Sequence, residues 1–250
     1  MMSRLSVAII TYNEEEEIKD CLESVKWADE IVVVDSFSTD KTLDICRQYT
    51  NKVFQHEWSG YSNQKNYAIN VTTNPWILIL DADERVSERL TKEIKEILDK
   101  DLGVDGYYIP RKSYFLGRWI RYGGWYPDYS IRLFRKDKGR FEQREVHESV
   151  RINGKTAKLK NHLEHYTYRN LSEYIQRMDR YSTLAAMEMV GEGRRSGPRN
   201  ILFRPILTFF RMYILKQGFR EGIYGLLISV LYSYYTFLKY AKLWEMRKIS

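Results

Sequence analysis

Residues 76–84, Trp-Ile-Leu-Ile-Leu-Asp-Ala-Asp-Glu, set an apolar run directly against two carboxylates spaced one residue apart. A run this short, entered through Asn74-Pro75, predicts a strand buried on both faces of a parallel sheet. Ligands of open α/β sheets bind at the carboxyl ends of the strands. Asp81 and Asp83 are therefore expected at the mouth of the sheet, both able to turn toward one ion. Carboxylate oxygens suit Mg²⁺ or Mn²⁺, which keep several waters and are commonly shared with substrate phosphates. An Asp-x-Asp triplet alone is also an ordinary loop sequence. Here the strand in front of it, and what precedes that strand, give it meaning.

Upstream, strand and helix patterns alternate. Residues 5–11 read as a buried strand, followed by Tyr12-Asn13 and an acidic opening at residues 14–17 that favours a helix dipole. Ile18, Cys21, Leu22 and Val25 then recur at helical spacing. Residues 30–35 repeat the pattern of a buried strand ending in a carboxylate, Asp35. The capping-rich turn 36–40 leads into a second helix over residues 41–49. A short strand at 52–55 and a third helix over 61–71, carrying Gln64, Lys65 and Asn66, complete the approach to residue 76. This alternation specifies a doubly wound, mostly parallel α/β sheet. The loop after the first strand narrows the chemistry. A dinucleotide fold or a P-loop needs glycines there to cradle phosphate on backbone N–H groups, and no glycine occurs before Gly60. A diphosphate bound here must be neutralised by a metal and by side chains.

Four segments in order, Thr11-Tyr12-Asn13-Glu14, Val34-Asp35-Ser36-Phe37-Ser38-Thr39-Asp40, Lys65-Asn66 and Leu80-Asp81-Ala82-Asp83-Glu84, resemble the signature of family 2 glycosyltransferases with the GT-A fold. Arg132-Leu133-Phe134-Arg135, Gly139-Arg140-Phe141 and Val146-His147-Glu148 extend the likeness to the subgroup that includes lipopolysaccharide-core glucosyltransferases. The resemblance covers residues 5–170. It implies that Thr11, Tyr12, Asn13, Glu14 and Asp35 contact a nucleoside, uridine, that Lys65 lies near the nucleotide, and that Asp81 and Asp83 hold ribose and metal-diphosphate. Read on its own, Asp35 is equally a turn or capping carboxylate, and Lys65 a solvated helix residue. The subgroup implies transfer of hexose from a nucleotide sugar to a lipid-linked surface glycan. A nucleotidyltransferase of sugar phosphates, or an inert membrane-bound scaffold of the same fold, is the alternative.

Inverting transfer needs one base to take the acceptor proton while a metal stabilises the departing diphosphate. Asp128, at a Pro-Asp turn before a strand pattern, and Glu148, beside His147, are the two candidates. His147 is either a metal ligand or a group that orients Glu148, and His162 and His165 are weaker candidates. Residues 106–110 and 130–135 are strand patterns that could extend the sheet. Between them, Trp119 and Trp125 sit among glycines and could stack on a sugar or simply pack in a core. Processive relatives carry Gln-x-x-Arg-Trp. Here Phe115 precedes Arg118-Trp119 where the glutamine would stand, which favours addition of one sugar.

Charge separates the chain into regions. Residues 1–100 carry 12 Lys and Arg against 19 Asp and Glu, whereas residues 194–250 carry 11 against 2. Residues 171–190 read as a helix and 191–198 as a linker rich in glycine, giving a GT-A domain over 1–190 and a basic amphipathic extension over 191–250. Residues 222–238 contain no charge, the bare minimum for a spanning helix. Four tyrosines and the small polar face of Gly225, Ser229, Ser233 and Thr236 fit better with a helical hairpin lying on an anionic membrane surface. The aliphatic bulk argues against nucleic acid. Two cysteines in helical patterns argue against a disulfide framework, and no charged-then-apolar leader precedes Ser6. The expectation is a cytoplasmic protein, peripheral on the inner face of the cell membrane.

Overall fold

The computed structural model describes residues 3–100, 102–142, 149–168 and 170–249. In chain order the elements are β1 (Leu5–Thr11), α1 (Ile18–Ser24), β2 (Glu30–Asp35), α2 (Thr42–Arg47), β3 (Val53–Gln55), α3 (Tyr61–Val71), β4 (Trp76–Asp81), β5 (Glu84–Val86) and α4 (Glu88–Lys100). There follow β6 (Gly106–Phe115), β7 (Arg118–Trp119), β8 (Asp128–Arg135), β9 (Gly139–Phe141), β10 (Val150–Ile152), β11 (Thr156–Lys158) and β12 (Leu163–Tyr168). The chain closes with α5 (Leu171–Gly191), α6 (Pro198–Phe210), two short helical turns at Arg211–Leu215 and Gly218–Glu221, and α7 (Ile223–Ile249).

The main sheet runs β3-β2-β1-β4-β8-β6-β12-β5. Its first four strands are parallel, and the register sets Thr11 opposite Asp35 and Ile10 opposite Asp81. Three strand ends named by the sequence thus lie side by side. Beyond β4 the mostly parallel sheet becomes mixed, with β8 antiparallel to β4 and β12 antiparallel to β5. The physical reason is connectivity: parallel neighbours need a crossover helix, and the chain between β6 and β8 contains only the β7 hairpin and a loop.

Contacts divide the chain into one unit of residues 1–111 with 129–165 and a second of 112–128 with 166–250. In the first, strand alternation feeds two cores. Leu5, Val7, Ile9, Leu78 and Leu80 pack with Ile18 and Leu22 of α1 and Leu90 and Ile94 of α4. On the opposite face Ala8, Ile10, Val32, Val34, Ile77 and Ile79 pack with Ala68 and Ile69 of α3. Each buried aliphatic side chain contributes roughly 1.5–3 kcal/mol. Cys21 and Cys46 are free and buried, and burial pushes the Cys46 thiol up to about 12.

One buried polar cluster also braces this sheet. Glu30 accepts from Ser6, Lys52 and both the amide and hydroxyl of Thr73. Burial by itself would raise its pKa, but these donors lower it to about 2. A depressed carboxylate pKa stabilises the fold above its unfolded value of about 4.3, and that stability is lost as pH falls toward about 2. Glu30→Gln is therefore expected to lose about 2–3 kcal/mol at pH 7 and to flatten acid sensitivity between about pH 5 and 2. Urea denaturation at several pH values measures it.

The second unit gathers Phe115, Ile120, Tyr168, Tyr174, Met178 and Ile228 into one cluster. Helix α5 shares it with α7, so the boundary read from the sequence at residues 190 and 191 falls inside this unit. Ser229 is buried, and Ser229, Ser233 and Thr236 donate to carbonyls of their own helix. The small face of α7 is therefore an inward packing surface. A Cβ at Gly225 would stand 1.9 Å from the Gly218 carbonyl oxygen, which only glycine permits. Trp125 packs edge-on against Phe115, the core alternative rather than the sugar-facing one.

Candidate active site

The loops that follow β1 and β2 hold each other. Asn13, at φ 52°, accepts from the Thr39 amide through Oδ1 at 2.8 Å and donates its own amide to Ser38 Oγ at 2.9 Å. The Glu14 amide donates to Thr42 Oγ1 at 2.8 Å, and Glu15 accepts from the Lys41 amide at 3.0 Å. Asp35 is fully buried and accepts from the Ser38 amide at 2.9 Å and from the Ser38 hydroxyl. Its carboxylate thus organises its own turn, as the local alternative anticipated. Thr11 Oγ1 is buried without a hydrogen-bond partner among the described residues. Tyr12 and Phe37 are half exposed, and Phe37 has φ 61°. A bulky residue in the left-handed region is uncommon and concentrates at functional loops.

At the end of β4, Asp81 sits between two buried cations. Its Oδ1 lies 2.8 Å from Lys65 Nζ on α3, and its Oδ2 accepts from Arg132 on β8 at 2.8 Å. Arg132 also donates to Glu84 at 2.6 Å, and Glu84 accepts from the Asp81 amide at 3.0 Å. Lys65 is 1% exposed, Arg132 4% and Glu84 0%. Burial works against ionisation of Asp81, but Lys65 and Arg132 overcome it and hold the carboxyl well below the usual range. Lys65 is therefore no solvated helix residue. It is a buried counter-ion aimed at the acidic pair.

Asp83 has a different setting. It lies in the turn between β4 and β5, with Oδ2 3.4 Å from His165 Nε2 on β12. Asp81 pairs with Lys65 and Arg132, whereas Asp83 lies beside His165. Glu17 senses Asp83 as well: burial chiefly raises its pKa, Arg85 opposes, and Asp83 adds to the rise. Among the described residues no three His, Cys, Asp or Glu side chains converge on a point. A divalent ion with ligand lengths of about 2.1 Å sets neighbouring ligands about 3 Å apart. The Asp83–His165 pair fits that spacing, and hard cations at phosphates commonly use one or two carboxylates with substrate oxygens supplying the rest. The donor set therefore fits Mg²⁺ or Mn²⁺ held jointly with a diphosphate.

Asp128 opens β8, is half-buried and belongs to the second unit. His147 and Glu148 lie outside the described residues. Two site residues were named in the sequence without the partners the structure gives them. Arg132 stood in a strand pattern among apolar neighbours, where a lone arginine must be paired if buried. His165 offered only its place in an alternating strand, since the Leu163–Val86 register that delivers it beside Asp83 is long-range.

Residues 6–153 match the family model described as "Glycosyl transferase family 2". The chain is 31% identical to the lipopolysaccharide core biosynthesis glycosyltransferase LpsC of Rhizobium meliloti, over 98% of this chain and 94% of that protein. It is 30% identical to an uncharacterized glycosyltransferase of Rickettsia typhi, over 98% and 88% respectively. Among solved structures, the mannosyltransferase PcManGT from Pyrobaculum calidifontis, in complex with GDP-Man and Mn²⁺, shares the fold. Its TM-score is 0.58 at 15% identity, covering 98% of this chain and 88% of that one.

Proposed function

This chain belongs to glycosyl transferase family 2, and from that premise we propose that it moves a single hexose, glucose, from UDP to a lipid-linked glycan of the lipopolysaccharide-core type, with inversion. The observation that carries the reading is the buried Lys65–Asp81–Arg132–Glu84 network, which brackets Asp83 and its neighbour His165. The name of the Rhizobium relative supports the acceptor class.

In this reading each group has one task. Thr11, Tyr12, Asn13, Glu14 and Asp35 form the nucleoside cradle, with the idle Thr11 hydroxyl available to the ligand. Asp81 faces the ribose, its orientation locked by Lys65 and Arg132. Asp83 and His165 would hold Mg²⁺ or Mn²⁺, which when bound neutralises the leaving diphosphate. The base takes the acceptor hydroxyl proton as the sugar carbon is attacked from the face opposite the nucleotide. Asp128 and Glu148 remain its two candidates. Asp128→Asn and Glu148→Gln distinguish them: the true base is expected to lose about 10²–10⁴-fold in turnover with donor affinity retained, as read by single-turnover kinetics beside donor titration.

A membrane-side acceptor is consistent with α6, which buries none of its residues. Leu202, Phe203, Ile206, Leu207 and Phe210 are all more than half exposed, among the arginines of the basic tail. No helix among the described residues is long and apolar enough to cross a membrane, so we place this face on the lipid surface rather than through it. UDP-glucose with Mn²⁺ is expected to raise the melting temperature and to be slowly hydrolysed. Neither effect with any UDP-sugar would overturn the proposal.

A further inference from the structure

The second unit contains a cleft of about 350 Å³ lined by Arg118, Trp119, Arg121, Tyr122, Arg220 and Glu221. Its lining is arranged in detail. Glu221, 4% exposed, accepts from the amides of Arg121 and Tyr122 at 2.8 and 3.1 Å through one oxygen. Its other oxygen lies 3.5 Å from Arg118. The lone carboxylate is thereby committed to fixing the loop and balancing one guanidinium. Arg121 stacks on the Trp119 ring at 4.1 Å and Arg220 on the Tyr122 ring at 4.3 Å. Neither has a carboxylate partner among the described residues. Stacking holds a guanidinium plane while leaving edge N–H groups for a ligand, with one Arg220 nitrogen, Nη1, already donating to Gln217 Oε1 at 2.9 Å.

We propose that this cleft is a phosphate-binding subsite, taking a phosphate ester carried on a sugar of the acceptor or on a neighbouring lipid headgroup. Three guanidiniums against one carboxylate leave two positive charges, enough to balance a sugar phosphate monoester of about −1.5 to −2 or the single charge of a headgroup diester. Planar forks suit paired hydrogen bonds to phosphate oxygens. The volume falls within the roughly 300–1,000 Å³ of small-molecule sites, more than a bare phosphate needs. The assignment rests on the glycosyltransferase reading only for the source of the phosphate. Binding itself stands apart from it.

The test uses the full chain saturated with UDP and Mn²⁺, so that donor loops do not compete. Titration with glucose 6-phosphate is compared between the parent and an Arg121→Gln, Arg220→Gln variant. Both side chains are exposed, and a thermal melt verifies the fold of the variant. Affinity is expected to fall by about ten- to a hundredfold, with UDP-glucose affinity unchanged. Retained glucose 6-phosphate affinity, or a parallel loss of UDP-glucose affinity in the variant, overturns the subsite. Cosedimentation with phosphatidylglycerol and phosphatidylcholine vesicles separates the sources. If the variant also loses phosphatidylglycerol vesicles, the subsite takes headgroups. If it keeps them while losing glucose 6-phosphate, the subsite takes a phosphorylated acceptor sugar.

Discussion

Asp81→Ala is expected to destabilise the protein by about 3–5 kcal/mol and to abolish transfer, because it removes one side of a buried ion-pair network. Glu84 still faces Arg132 in the variant, but the Lys65 ammonium, 1% exposed, loses its carboxylate at 2.8 Å. Leaving such a charge uncompensated costs far more than the intact pair contributes. The sequel is diagnostic. Adding Lys65→Met to Asp81→Ala removes the stranded charge and is expected to restore part of the stability and none of the activity. Urea denaturation of the single and double variants measures the coupling. An Asp81→Ala protein within about 1 kcal/mol of the parent would mean that the network is not what organises this end of the sheet.

Asp83→Asn is expected to behave in the opposite way. The half-buried carboxylate repels Glu17, and asparagine keeps its shape while removing that repulsion, so the melting temperature should scarcely change. Transfer should nonetheless fall on the order of 10³-fold, the rate equivalent of losing several kcal/mol of leaving-group stabilisation. Mn²⁺ should no longer strengthen UDP-glucose binding. Calorimetric titration of donor with and without Mn²⁺ separates this from a nucleoside effect, because affinity for uridine alone should be retained. His165→Ala should reproduce the loss more mildly. If Asp83→Asn kept the full Mn²⁺ response, the metal would have to be assigned to other groups.

The parts of the site legible in the sequence were those carried by the parallel strands. Runs such as Ile77–Leu80 are buried on both faces and end in a carboxylate at the carboxyl edge, so Asp35 and Asp81 could be placed on the same edge of the sheet before any coordinates. The Asp81–Lys65 pair was half legible, since α3 crosses back from β3 to β4 and must pass the strand ends. The antiparallel half was not. Arg132, Glu84 and His165 meet through pairings whose order along the sheet no local pattern encodes. The boundary expected at residues 190 and 191 falls within one contact unit for a related reason. Glycines at 191, 193 and 197 signal a turn, but Tyr174 and Met178 of α5 cluster with Ile228 of α7 and Lys242 of α7 pairs with Asp179 of α5, contacts too far apart in sequence for any local pattern to show.

The mutual hold between the loops after β1 and β2 has a kinetic consequence. Amides of 13, 14 and 39 and side chains from both loops are cross-linked by hydrogen bonds, so neither rim can swing while its neighbour stays still. A donor arriving here meets a socket already in shape, whose two walls loosen or tighten together. Damage to Asn13 should therefore be felt at Thr39 and Asp35 as surely as at its own position.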